Sequence, residues 1–148
     1  MIENRIAIDP DRKYPADGVR KVERNALRIL PLVPDFTMER TRDTIHVYYG
    51  GEEGVVISVS PEAFEFRLPT VEWTAGAYGP TASSRLWKRV ASARISDGRL
   101  RSLVESAIIA RKAEFRICRS CKQSVPPEHR HGDDLCHACA STDLGIVY

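Results

Sequence analysis

Ile45-His46-Val47-Tyr48-Tyr49, then Gly50-Gly51-Glu52-Glu53-Gly54, then Val55-Val56-Ile57-Ser58-Val59, is the stretch that decides the fold. In the first run Ile45, Val47 and Tyr49 alternate with Thr44, His46 and Tyr48, the period of two that sends successive side chains to opposite faces of a strand. The last run is short, apolar and rich in β-branched residues, and reads as a second strand. The glycine-rich five residues between them have hairpin length. Ser60-Pro61-Glu62 then breaks the chain before a third alternation, Phe64, Phe66 and Leu68, and Phe36 to Thr41 supplies a further candidate in front. Three or four antiparallel strands in a meander follow from this reading.

Such a sheet needs a cover on one face. Val19, Val22, Ala26 and Leu30 recur at spacings of three and four behind Asp17, a plausible N-cap, and Pro31 ends that helix. Its other face is basic, with Arg20, Lys21, Arg24 and Arg28. A second, stronger helix starts at Ser96 or Asp97, with Leu100, Leu103, Val104, Ala107 and Ile108 on one face. Ser83 or Ser84 opens a short helix through Ala93, Asn4 to Ile8 reads as a strand, and Pro69 to Ser84 as an aromatic loop without a period. The expected class is α+β, a small antiparallel sheet with packed helices over residues 1–115, followed by a zinc ribbon-like module over 116–148.

The 148 residues suit a soluble globular chain. No stretch approaches the ~18–20 consecutive apolar residues of a membrane span, and Met1 to Arg20 is too charged for a signal peptide, so a cytoplasmic protein with no membrane partner is expected. Net charge is +2, which argues against indiscriminate coating of nucleic acid. The charge is unevenly spread, however. Between Arg85 and Lys122 eleven basic residues face Asp97, Glu105 and Glu114, so that segment carries +8 and the remainder −6.

All four cysteines fall in the last 31 residues, as Cys118-Arg119-Ser120-Cys121 and, after 14 residues, Cys136-His137-Ala138-Cys139. Two such pairs can close a tetrahedral S₄ set suited to Zn²⁺, with iron as the chemical alternative. Two disulfides or two redox pairs are the competing readings. Both conflict with the expected compartment and with the absence of a thioredoxin-like βαβ context. His129, His131 and His137 lie nearby, but four sulfurs already complete the shell and leave no open position for catalysis. One structural Zn²⁺ is therefore expected, in a tail whose large apolar residues are few and for which metal can supply on the order of 10 kcal/mol.

The two Cys-x-x-Cys pairs resemble the knuckles of a zinc ribbon or a related treble-clef finger, over Arg116 to Tyr148. The helix that precedes them, the Pro126-Pro127-Glu128 loop and Leu135-Cys136 are also similar to DksA/TraR-type fingers. Lys122 and Ala140 stand where those patterns often have glycine, the loop is shorter, and Leu144 to Tyr148 reads as a strand, so the ribbon form is expected first. The resemblance implies a zinc module that holds nucleic acid or a protein partner, and no activity in itself.

Two binding functions follow. In the first, the basic segment contacts nucleic acid through Arg85, Lys88, Arg89, Arg111, Lys112, Arg116, Arg119 and Lys122, with Trp87 stacking on an unpaired base. In the second, the chain is a protein-interaction adaptor or inhibitor, of immunity type for example, with Trp73, Tyr78 and Trp87 as anchors beside Arg85 and Arg89. An enzyme is the weakest reading. Phosphate-loop, dinucleotide, nucleophile-elbow and His-Glu-x-x-His motifs are all absent, and His46 reads as a satisfied sheet histidine.

Overall fold

The computed structural model describes residues 17–73 and 80–146. Five strands, β1 (Thr37–Arg40), β2 (Ile45–Tyr49), β3 (Val55–Val59), β4 (Ala63–Trp73) and β5 (Pro80–Ala91), form one antiparallel sheet in the order β1-β2-β3-β4-β5. The β2–β3 register pairs Ile45 with Val59 and Tyr49 with Val55, so the alternating run and the β-branched run meet across the glycine turn. All five residues of β3 are buried.

Helices α1 (Asp17–Ile29) and α2 (Asp97–Ala113) cover one face of the sheet. Val22, Ala26 and Ile29 from α1 and Leu100, Leu103, Val104 and Ala107 from α2 share a core with Ile45, Val47, Ile57, Val59, Phe64, Phe66 and Leu68. Full burial of a side chain of this size stabilises by about 1.5–3 kcal/mol, so this layer contact holds the fold. The Arg99 backbone N–H donates to the Ser96 hydroxyl at 3.1 Å, the expected N-cap of α2. Arg28 leaves the basic face of α1 to donate to Asp97 at 3.0 Å and to the Ser92 carbonyl at 2.8 Å, which latches the end of α1 to the start of α2.

Two expected elements are different in the structure. The helix from Ser83 or Ser84 to Ala93 is strand β5 up to Ala91, and most of the aromatic loop is strand as well, with Pro69 to Trp73 in β4 and Pro80 to Ser84 in β5. The reason is visible in the register. Phe66 pairs with Lys88 but Arg67 pairs with Leu86, so Trp87 is an extra residue on β5. A bulge of this kind shifts the alternation by one and erases the period-two signal, while the pairing along β4 fixes the strand regardless. Arg67 seals it by donating to the Ser84 hydroxyl at 2.8 Å. The strand expected at Asn4 to Ile8 and the loop residues 74–79 lie outside the described residues.

His46 is a sheet histidine whose Nδ1 lies 2.8 Å from the Ser58 hydroxyl. Among the described residues, no helix is long and apolar enough to cross a membrane.

The turn between β2 and β3 depends on two glycines. Gly50 has φ +90°, and a Cβ on Gly54 would stand 2.0 Å from the Tyr49 carbonyl oxygen. Backbone cannot yield as a flexible side chain would. Gly54→Ala is therefore expected to destabilise the chain by about 2–3 kcal/mol, read from the urea midpoint, whereas Gly98→Ala, whose Cβ would meet nothing within 4 Å, should not destabilise it.

Candidate metal centre

Beyond α2 the chain forms small elements with a core of their own, in which Cys118, Val125, Leu135 and Ala140 are buried together with part of Ile146. Strands β6 (Arg116–Ile117) and β7 (Ser124–Val125) make a tight hairpin. Cys118 and Cys121 sit in its turn, where the Cys118 N–H donates to the Gln123 carbonyl at 2.8 Å and the Lys122 N–H returns to the Cys118 carbonyl at 2.9 Å. Lys122 takes φ +65°, the left-handed position that glycine often fills. A second hairpin, β8 (Arg130–His131) with β9 (Leu135–Cys136), leads into α3 (His137–Leu144).

The second cysteine pair thus stands at the start of a helix. Cys136 is the N-cap of α3, its sulfur accepting from the Cys139 N–H at 3.4 Å. The strand expected over Leu144 to Tyr148 is corrected as far as Ile146: Leu144 ends α3 and Gly145, at φ +69°, closes it, with the Ile146 N–H donating to the Ala140 carbonyl, while Val147 and Tyr148 lie outside the described residues. Leu-Gly-Ile reads as an apolar strand, but the same three residues serve a left-handed helix cap with its hydrophobic contact.

The four ligand sulfurs of Cys118, Cys121, Cys136 and Cys139 lie within 4.8 Å of one another, and those of Cys121 and Cys136 are 3.9 Å apart. A tetrahedron with metal–sulfur bonds of about 2.3 Å has edges of about 3.8 Å, so the set has the size to hold one metal ion. All four are free thiols. Backbone N–H groups of Cys121 and Cys136 pull the Cys118 thiol down to about 6. The Cys139 thiol is pushed up to about 12, because the help of the Ser120 hydroxyl is outweighed by Cys136, by burial and by Cys118 and Cys121. One sulfur is prepared as a thiolate while its neighbours oppose the next negative charge. A bound cation removes that conflict. No histidine joins the cluster; the His137 Nε2 is engaged 3.1 Å from the Arg130 carbonyl.

The basic residues singled out from the sequence occupy several elements. Arg111 continues the apolar stripe of α2, eleven residues after Leu100, and is 1% exposed. Its guanidinium forms a two-pronged pair with Glu128, at 3.0 Å through one nitrogen and in closer contact through the other, donates to the Glu52 carbonyl at 3.1 Å, and lies over the Phe115 ring. It is turned inward, onto the loop that carries the finger. Arg85 pairs with Glu114, Arg89 with Glu65 at 3.5 Å, Lys112 with Glu53 at 3.8 Å and Arg119 with Asp134 at 3.1 Å. Arg116 donates to the Ala113 and Phe115 carbonyls, and Lys122 to the Arg119 carbonyl. Lys88 lies over the Trp87 ring, and Trp87 itself packs against the main core. Tyr78 and the side chain of Trp73 lie outside the described residues.

Charge counting along the chain missed both the burial of Arg111 and its partner. The i, i+3, i+4, i+7 stripe of α2, extended one more turn, is the signal that finds the first. Comparison with protein-family models, curated proteins and solved structures finds no match to the chain.

Removing the metal should unfold the finger while the five-stranded sheet persists. Elemental analysis is expected to give one equivalent per chain, and chelation, or Cys136→Ser, should collapse the amide NMR signals of residues 116–146 but not those of Phe64 or Leu100. The Arg111–Glu128 pair gives a second expectation. Burial raises the Glu128 pKa, but the Arg111 hydrogen bonds outweigh this and hold it below its ordinary 4.5. A carboxyl depressed in the folded state contributes stability above its unfolded value and loses it as pH falls through the folded value. Glu128→Ala should therefore cost about 2–3 kcal/mol at pH 7, by taking the two-pronged partner from a buried Arg111 that keeps only the Glu114 carboxylate at 3.6 Å and the Glu52 carbonyl, and the difference from the parent chain should shrink below pH 4.5.

Proposed function

We propose that the chain is a binding protein in which one structural Zn²⁺ on Cys118, Cys121, Cys136 and Cys139 shapes residues 116–148 into a finger, and that the finger and the end of α2 together contact nucleic acid. Four thiolates select zinc over hard cations and close its coordination shell, so the ion organises the chain and performs no reaction. A knuckle, a hairpin and a helix that carries the second cysteine pair fit a treble-clef finger better than a ribbon. Its separate core supports treating residues 1–115 and 116–148 as two modules. Free thiols serving as ligands suit a reducing compartment such as the cytoplasm.

The observation that carries the nucleic-acid reading is the charge gathered where α2 meets the finger. Arg85 pairs there with Glu114 and Lys112 with Glu53, while Arg116 and Arg130 donate to the backbone carbonyls of Ala113 and Glu114, so that even with the Arg111–Glu128 pair set aside cations outnumber carboxylates. Arg119 and Lys122 extend this along the knuckle against Asp134. The pairs made by Lys112 and Arg119 are exposed, and such pairs contribute about 0–1 kcal/mol, so a phosphate can replace a carboxylate there at small cost, whereas the Glu114 partner of Arg85 is largely buried. Arg111 does not belong to this contact set, because its buried pair fastens the finger. Trp87 is held by the core and does not act as the stacking base partner in this reading.

The test is the salt dependence of binding. Fluorescence anisotropy of the zinc-loaded chain with a labelled 20-nucleotide single strand should give an affinity that falls steeply between 50 and 200 mM salt. Each phosphate contact contributes about 0.7 to the logarithmic slope, so Arg116→Ala combined with Lys122→Ala should lower that slope by about 1 to 1.4. No binding at 50 mM salt, or an affinity indifferent to salt, overturns the reading.

A further inference from the structure

A groove of about 570 Å³ opens between α2 and the segment that follows α1, on a part of the surface that the proposed nucleic-acid contact does not use. This volume is within the range of small-molecule sites, roughly 300–1,000 Å³. Leu32 and Pro34 line it from one element and Val104, Ile108 and Ile109 from another, and Ile109 is 68% exposed, an apolar side chain left at the mouth. Gly50 makes the shape available: a Cβ there would stand 3.2 Å from the Ile108 Cδ1. The Tyr49 hydroxyl, the polar group at the inner end, donates to the Val104 carbonyl at 3.3 Å and is satisfied within the protein. The groove therefore offers apolar contact and no unmet hydrogen-bonding demand from its inner end.

Two charged side chains line it, Asp35 and Glu105, and both are acids. Among the described residues neither takes part in an ion pair, although the chain as a whole carries +2. An apolar slot with unneutralised carboxylates selects a ligand with an apolar body and one positive end, and disfavours a fatty acid, whose carboxylate would face both of them. We propose that this groove is a binding site for a small amphipathic cation, an aliphatic or aromatic amine whose hydrocarbon part lies against Leu32, Val104 and Ile108 and whose ammonium group faces Asp35 and Glu105. This proposal stands apart from the nucleic-acid reading, since it shares no residue with it.

The experiment is a titration of the zinc-loaded full chain by ¹H–¹⁵N NMR with octylamine, octanol and octanoate in turn, each below its micelle concentration at pH 7. The amine is expected to saturate with shifts confined to Leu32, Tyr49, Val104, Ile108 and Ile109, and to bind at least tenfold more tightly than octanoate. Glu105→Gln should weaken the amine several-fold and leave octanol unchanged, a pattern that a merely unfolded variant would not give. Equal affinity for amine and alcohol, preference for octanoate, or shifts that map elsewhere overturn the proposal. So does concentration-dependent broadening at the same residues without any amine, which would assign the groove to a second copy of the chain.

Discussion

A single guanidinium with almost no contact with solvent, that of Arg111, ties the two parts of this molecule together. It lies on the inner stripe of α2, holds the Glu128 carboxylate of the finger loop with two nitrogens, and reaches back to the Glu52 carbonyl in the turn after β2. A charge in such a place costs several kcal/mol of lost hydration unless its partner is correctly placed. The position of the finger on α2 is thereby constrained, because a shift of an ångström or two would separate the pair and leave both charges buried. Phe115 beneath the guanidinium and the Arg130 donation to the Glu114 carbonyl complete the same joint.

The joint has meaning only if the finger has a shape, and its own apolar content is small. Val125, Leu135 and Ala140 with the buried Cys118 make a core far below what would order thirty residues in water. The sulfur cluster supplies the missing constraint. It converges from two hairpin-bound residues and the first turn of a helix, so one ion would fix three local elements at once. A bound ion and the Arg111–Glu128 pair would then act in series, the ion forming the finger and the ion pair orienting it on α2.

The same geometry changes what the basic segment can do. Counted along the chain, residues 85 to 122 are a block of +8. In space, Arg85, Arg89, Arg111, Lys112 and Arg119 each face a carboxylate, several of them from distant parts of the chain: Glu65, Glu53, Glu128 and Asp134. On β5, an edge strand of the sheet among the described residues, Arg85, Lys88 and Arg89 with the bulge at Trp87 also serve a purpose unrelated to ligands, since charge and irregularity on an edge strand discourage pairing with another chain. The acidic groove beside Ile109 is the complementary case, a local negative rim on a chain of positive net charge.

What the sequence determined by itself was what depends on neighbours within a few residues: the alternation of β2, the β-branched run of β3, the Ser96 cap and apolar face of α2, and four sulfurs at metal-binding spacing. Spacing in a Cys-x-x-Cys pair and periodicity on a helix are local properties, and they survive folding unchanged. What only the tertiary structure decided was set by residues far apart. β5 became a strand because β4 lies beside it, with a bulge that concealed the pattern. Leu144 ended a helix because Gly145 could turn left-handed against Ile146 and its contacts. Arg111 went inside because Glu128, 17 residues later, was carried to it by a hairpin and a loop. Linear charge records how many ions a segment carries, but burial and pairing depend on three-dimensional distance, and no one-dimensional pattern contains that distance.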